Sequence, residues 1–134
     1  MYKLVPALAT AIALGAPAVA SAASHAAIID CAGKAQQAPK SLTLFCGDGN
    51  DTLMGLHWKG WGGASATASA TDEINLCNPS CVAGRDQPFP VSVTASDLKG
   101  GRYQKLTVTF TGKRPPKTAR VEDWGLTVHG PETA

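Results

Sequence analysis

The chain has 134 residues, with 12 Lys and Arg against 10 Asp and Glu, a formal net charge of +2. That charge is too small for the basic field a dedicated nucleic-acid binder needs. Beyond the first residues the length suits one domain with one core, and no later segment is long and apolar enough to span a bilayer.

In chain order, the first 22 residues come as three parts. Met1-Tyr2-Lys3 carries one positive charge, LVPALATAIALGAPAVA is uncharged and apolar, and small residues follow. This is the n-region, h-region and A-x-A pattern of a secretory signal peptide, with sites at Ala18-Val19-Ala20 and Ala20-Ser21-Ala22. Cleavage is expected after Ala22, leaving residues 23–134 as a single domain. Pro6, Gly15 and Pro17 interrupt the apolar run, and no basic stop-transfer flank follows, which argues against an anchor. No twin arginine precedes the run, so the general secretory route is expected. Asp30 directly before Cys31 argues against a lipoprotein.

Cys31, Cys46, Cys77 and Cys81 all follow that segment. An even number outside the cytosol implies two disulfides. Of the three pairings, Cys31–Cys46 and Cys77–Cys81 are expected, because each joins near neighbours across a turn region. Structural zinc sites favour C-x2-C knuckles, and neither spacing here is one, so no metal or other cofactor is expected.

The remaining segments have the two-residue period of strands. AAIID (26–30) is followed by SLTLF (41–45) and LMGLHW (53–58), the last two forming a hairpin across C-G-D-G-N-D. In ASATASAT (64–71), Ala64, Ala66, Ala68 and Ala70 share one face and the Ser and Thr residues share the other. An all-alanine face needs something large opposite it, so Trp58 is expected there, buried. Trp61, at an odd spacing from Trp58, would point to the other face of a regular strand. Residues 77–88 have loop composition. PVSVTAS (90–96), YQKLTVTFTG (103–112) and ARVEDWGLTVHG (119–130) complete about seven strands, with K-R-P-P-K as an exposed turn. No stretch has helical periodicity. The expected class is all-β, a single antiparallel sandwich, Ig-like or similar.

The order of features is similar to that of a group of small exported actinobacterial proteins without an assigned activity. The residues that carry the likeness are Asp30-Cys31-Ala32-Gly33-Lys34, Cys46-Gly47-Asp48-Gly49-Asn50 and Leu56-His57-Trp58-Lys59-Gly60-Trp61-Gly62. Asn75-Leu76-Cys77-Asn78-Pro79-Ser80-Cys81, Phe89-Pro90-Val91 and Leu106 to Gly112 continue it. The resemblance covers most of the chain after residue 22 and implies an exported β-domain, with nothing about chemistry.

Residues 47–55 also approach a calcium-binding RTX nonapeptide. A β-roll needs consecutive copies, and here there is one. An EF-hand would need a glutamate at its twelfth position, which is absent. A glycine-rich turn, with Asp and Asn bonding their own backbone, is the expected role. For catalysis there is no G-x-S-x-G, H-E-x-x-H or P-loop; His25, His57 and His129 are scattered; and all thiols are expected to be oxidised. Asp72-Glu73 and Glu122-Asp123 would face opposite ways along a strand. No enzyme is expected. The candidate contacts for a ligand are Trp61, able to stack on a sugar, Arg85 beside the Cys77–Cys81 loop, and Lys113 and Arg114 in the basic turn. These point to a monomeric, exported, non-catalytic domain. Its expected partner is a protein or an envelope component, not nucleic acid, and it has no membrane span after signal cleavage. The alternative is a secreted protease inhibitor presenting the Cys77–Cys81 loop and Arg85.

Overall fold

The computed structural model describes residues 11–16 and 25–134. The expected signal peptide and its cleavage site fall mainly outside these residues; residues 11–16 have no regular structure. Nine strands form: β1 (Ile28–Ile29), β2 (Ala35–Gln36), β3 (Ser41–Thr43), β4 (Asp51–Lys59), β5 (Ala66–Asn75), β6 (Asp86–Lys99), β7 (Arg102–Phe110), β8 (Val121–Thr127) and β9 (Gly130–Thr133). The described residues contain no helix, and every strand pair is antiparallel. The all-β class expected from the alternation is therefore the class observed. Both expected disulfides, Cys31–Cys46 and Cys77–Cys81, are present. With no cysteine left free, they point to an oxidising, extracellular-type environment.

The strands β3 to β9 lie side by side in chain order, an up-and-down meander, with β1–β2 as a separate ribbon. The meander curls like half a barrel. Phe45, just past β3, meets Trp124 of β8 edge-on at 6.2 Å, and the Cys46 sulfur approaches the Pro131 carbonyl of β9. The small ribbon packs on β7, β8 and β9 and brings Ile28 into the core. Asp30 shapes its turn: the carboxylate accepts N–H groups from Ala32 and Lys34 and from the Gln36 side chain. That is the local use of the D-C-x-G-K string.

One irregularity sets which side chains face inward. Leu53 and Leu56 are both buried although their spacing is odd. Gly55, at φ 65°, makes this possible; the β4–β5 register shifts between Met54 and His57 there. The glycine bulge turns the pleat over, so Asp51 and Leu53 face in before it, and Leu56 and Trp58 face in after it.

Several details differ from the sequence reading. Segment 119–130, expected as one strand, is two, because the chain turns at Val128-His129; Val128 is exposed while Trp124 and Leu126 are buried. Strand β6 begins at Asp86, inside the stretch read as loop, despite Pro88 and Pro90. The Pro90 carbonyl accepts from Thr111 on the β7 side. By parity the missing N–H of both prolines also lies on that side, away from the β5 ladder, where it costs no strand pairing. Finally, Trp58 is half-buried, not buried. It is the lateral neighbour of Ala68 on the next strand rather than a residue facing the alanines from across the core. Its indole N–H donates to Pro39 O at 2.9 Å, near the rim. Ala66 and Ala68 are buried, Ala70 is half-buried and Ala64 is exposed outside the strand.

Candidate functional site

A meander places alternate connections at opposite ends. The turn end holds residues 60–65 and 100–101. The loop end holds residues 44–50, 76–85 and 111–120. Three of the candidate contacts, Arg85, Lys113 and Arg114, lie at the loop end, and all three are exposed. Trp61 lies at the turn end. The ion pairs among the described residues are Lys99–Asp97 and Lys105–Asp123, so none of these three cations takes part in one.

Arg85 is presented by a loop held from within. The Cys77–Cys81 bridge closes its first part. Asn75, at the end of β5, spans the loop: its amide donates to Cys81 O at 2.8 Å, and its carbonyl accepts from Cys77 N–H at 2.9 Å. Gly84 donates to Ser80 O at 2.7 Å. A Cβ on Gly84 would come within 2.3 Å of the Asn75 side-chain oxygen and 2.8 Å of Ser80 O, so only glycine fits before Arg85. Lys113 and Arg114 ride on the β7–β8 loop. Arg120 staples that loop by donating to Phe110 O at 2.7 Å and Gly112 O at 3.3 Å, while Pro115 is buried beneath it. Asn75 and Arg120 are positioning residues that sequence reasoning missed. The N-x-C spacing, suited to an Asx turn, was the available signal for Asn75; nothing local marked Arg120.

The RTX-like string is a tight turn. The Asp48 carboxylate accepts from Asn50 N–H at 3.0 Å, Gly49 donates to Phe45 O, and the Asn50 amide reaches toward the Cys77 sulfur. Asp51 begins β4 and turns inward. The three side chains of a would-be calcium loop thus serve three different contacts.

Trp61 is occupied by packing. The chain leaves β4 at Lys59 and turns over at Gly60, which returns Trp61 to the same side as Trp58, with ring centroids 4.9 Å apart. The expectation of opposite faces applied to a regular strand, and the strand ends between them. Trp61 also meets the Tyr103 ring at 5.1 Å and donates its indole N–H to Ala26 O at 3.0 Å.

The acids at the loop end form a second grouping. Asp72 and Glu122 turn inward while Glu73 and Asp123 are less covered, as adjacent residues on strands must. Burial, then the neighbouring Asp51, push the Asp72 carboxyl up to about 9. Burial also raises Asp51 and Glu122. A depression of about 230 Å³ opens beside Asp51, lined also by Phe45, Asp48, Asn50, Ile74, Asn75 and Cys77. His25, His57 and His129 are exposed on separate segments.

Comparison with known protein families, with curated proteins and with solved structures finds no match for this chain.

Proposed function

We infer that this chain is an exported, non-catalytic interaction domain. It leaves the cell by the general secretory route, loses residues 1–22, and works as a monomer outside the membrane. Its partner is a protein or an envelope component, engaged through the loop end by Arg85, Lys113 and Arg114. The observation that carries the reading is the combination at that end: three exposed cations that join no ion pair among the described residues, on loops held by a disulfide, by Asn75 and by Arg120. Loops immobilised in advance lose less conformational entropy on binding, which favours recognition. The two disulfides and the composition of the first 22 residues support export.

The test is a pull-down from the native cell envelope with wild type and with the triple variant Arg85→Ala, Lys113→Ala, Arg114→Ala. A partner held by wild type and lost by the variant supports the reading. Equal retention by both removes the loop end from it. A second reading, a protease inhibitor with Arg85 as the specificity residue, is favoured by the Asn75 side chain that braces the loop. Stoichiometric slowing of trypsin supports that reading; ordinary cleavage after Arg85 eliminates it.

A further inference from the structure

The geometry points to a proton-held clamp between Asp51 and Asp72 that fastens β4 to β5 beneath the loop end and loosens when the shared proton is lost. This inference does not depend on what the domain binds.

The strand period dictates the placement. Asp72 continues the inward row of Ala66, Ala68 and Ala70, and its lateral neighbours are Leu53 on β4 and Phe89 on β6. Asp72 is 0% exposed, and among the described residues neither carboxyl oxygen receives an N–H or O–H from another group. Asp51 pairs with Ile74 while Leu53 pairs with Asp72, so the two aspartates are diagonal neighbours on the same inner face. Asp51 Oδ1 is buried without a donor as well. The charges that reach the pair are all acidic: Asp48 from the turn before β4, Glu73 beside Asp72 on β5, and Glu122 across the interior on β8. Phe89 on β6 and Leu53 on β4 offer only hydrocarbon.

Two ionised carboxylates in such a place, with no cation, would be strongly unfavourable. One proton resolves this. A protonated Asp72 donates its O–H to Asp51, and one charge remains instead of two. The bond then lies directly under the junction of the two loops, where Asn75 N–H donates to Asn50 O and Leu44 N–H donates to Asp51 O.

The sign of the linkage follows. Asp72 holds its proton to about 9 when folded, against an ordinary value of 3.8. A raised folded value means that the folded state binds the extra proton between those limits. The contribution to stability is therefore complete below about pH 4 and is lost as pH rises toward about 9. Asp30, lowered mainly by the Lys34 amide, works in the opposite direction at acid pH, so the clamp has to be isolated by comparing variants.

The experiment measures urea midpoints for wild type and Asp72→Asn from about pH 5 to about 9. Asn keeps the shape and donates an N–H to Asp51 without a proton to lose. The wild-type midpoint should fall relative to that of the variant throughout this range; parallel curves overturn the clamp. Carboxyl ¹³C shifts of wild type provide a readout that needs no variant. One aspartate should remain protonated at neutral pH and titrate several units above the others. Titration of every aspartate in the ordinary acid range overturns the proposal.

Discussion

At the turn end of the sheet, three rings close the interior and each satisfies its own polar atom. Trp58 and Trp61 donate to backbone carbonyls, and the Tyr103 hydroxyl donates to Gly63 O at 2.8 Å while accepting Gly62 N–H at 2.9 Å. At the loop end, closure relies on a four-residue disulfide step, on Asn75 and on Arg120, while among the described residues both Asp72 oxygens and one of Asp51 lack donors. The first arrangement gains dispersion and burial and leaves nothing polar unmet. The second gives up stability by placing carboxyls inside, and keeps Arg85, Lys113 and Arg114 exposed and outside the ion pairs of the described residues. The difference teaches where the interior is closed without polar cost and where carboxyls are carried inside: the aromatic end is the expected anchor, and the loop end is where the stability should depend on pH.

The comparison is most exposed at Tyr103, which is 1% exposed. Tyr103→Ala should cost about 3–5 kcal/mol, the range for emptying a large aromatic site. Trp58→Ala, at a half-buried ring, should cost clearly less, roughly 2 kcal/mol. Denaturant unfolding of the two variants measures both. A Tyr103→Ala protein nearly as stable as wild type would show that the aromatic end is not the anchor.

Next come the disulfides. Loop-closure entropy gives about 3 kcal/mol for a closure of 15 residues and about 2 kcal/mol for one of 4. Replacing Cys77 and Cys81 by serine should therefore destabilise less than replacing Cys31 and Cys46. It should also raise amide exchange around residues 76–85 while leaving Tyr103 protected. Equal exchange at both ends after that replacement would erase the distinction between them.

The smallest effect is expected at Gly55, which joins the two halves of β4. A methyl there would meet nothing within 4 Å, so the cost is only that of a side chain at φ 65°. Gly55→Ala should lose about 1 kcal/mol. A much larger loss, measured by the same unfolding curves, would mean that the bulge couples the ends more tightly than its open surroundings imply.

Much of the fold was legible because strand alternation is a local property. Val91 and Val93, like Leu106, Val108 and Phe110, were in phase and are buried; the short-range cysteine pairs are bonded as their spacing suggested. The candidate site was legible only in part. Arg85, Lys113 and Arg114 could be singled out by charge and turn composition, but not their shared end, nor the Asn75 and Arg120 side chains that hold their loops. Tyr103 was missed as a core residue because it is out of phase with Leu106. It is buried opposite Leu98, the residue after Asp97, which adopts φ 57°.

By itself, the sequence determined the strand class, the disulfide partners and which residues alternate, since each depends on neighbours a few positions away. Only the tertiary structure decided how those pieces meet. The bulge at Gly55 aimed Asp51 inward, strand adjacency set it diagonal to Asp72, and the curl of the sheet brought Glu122 across to them. The turn at Gly60 likewise joined Trp58 to Trp61. A bulge changes face by one residue, and a meander unites positions far apart in the chain, such as Asp51 and Glu122. Neither effect leaves a mark in the period of any single strand, because both arise from pairing between strands.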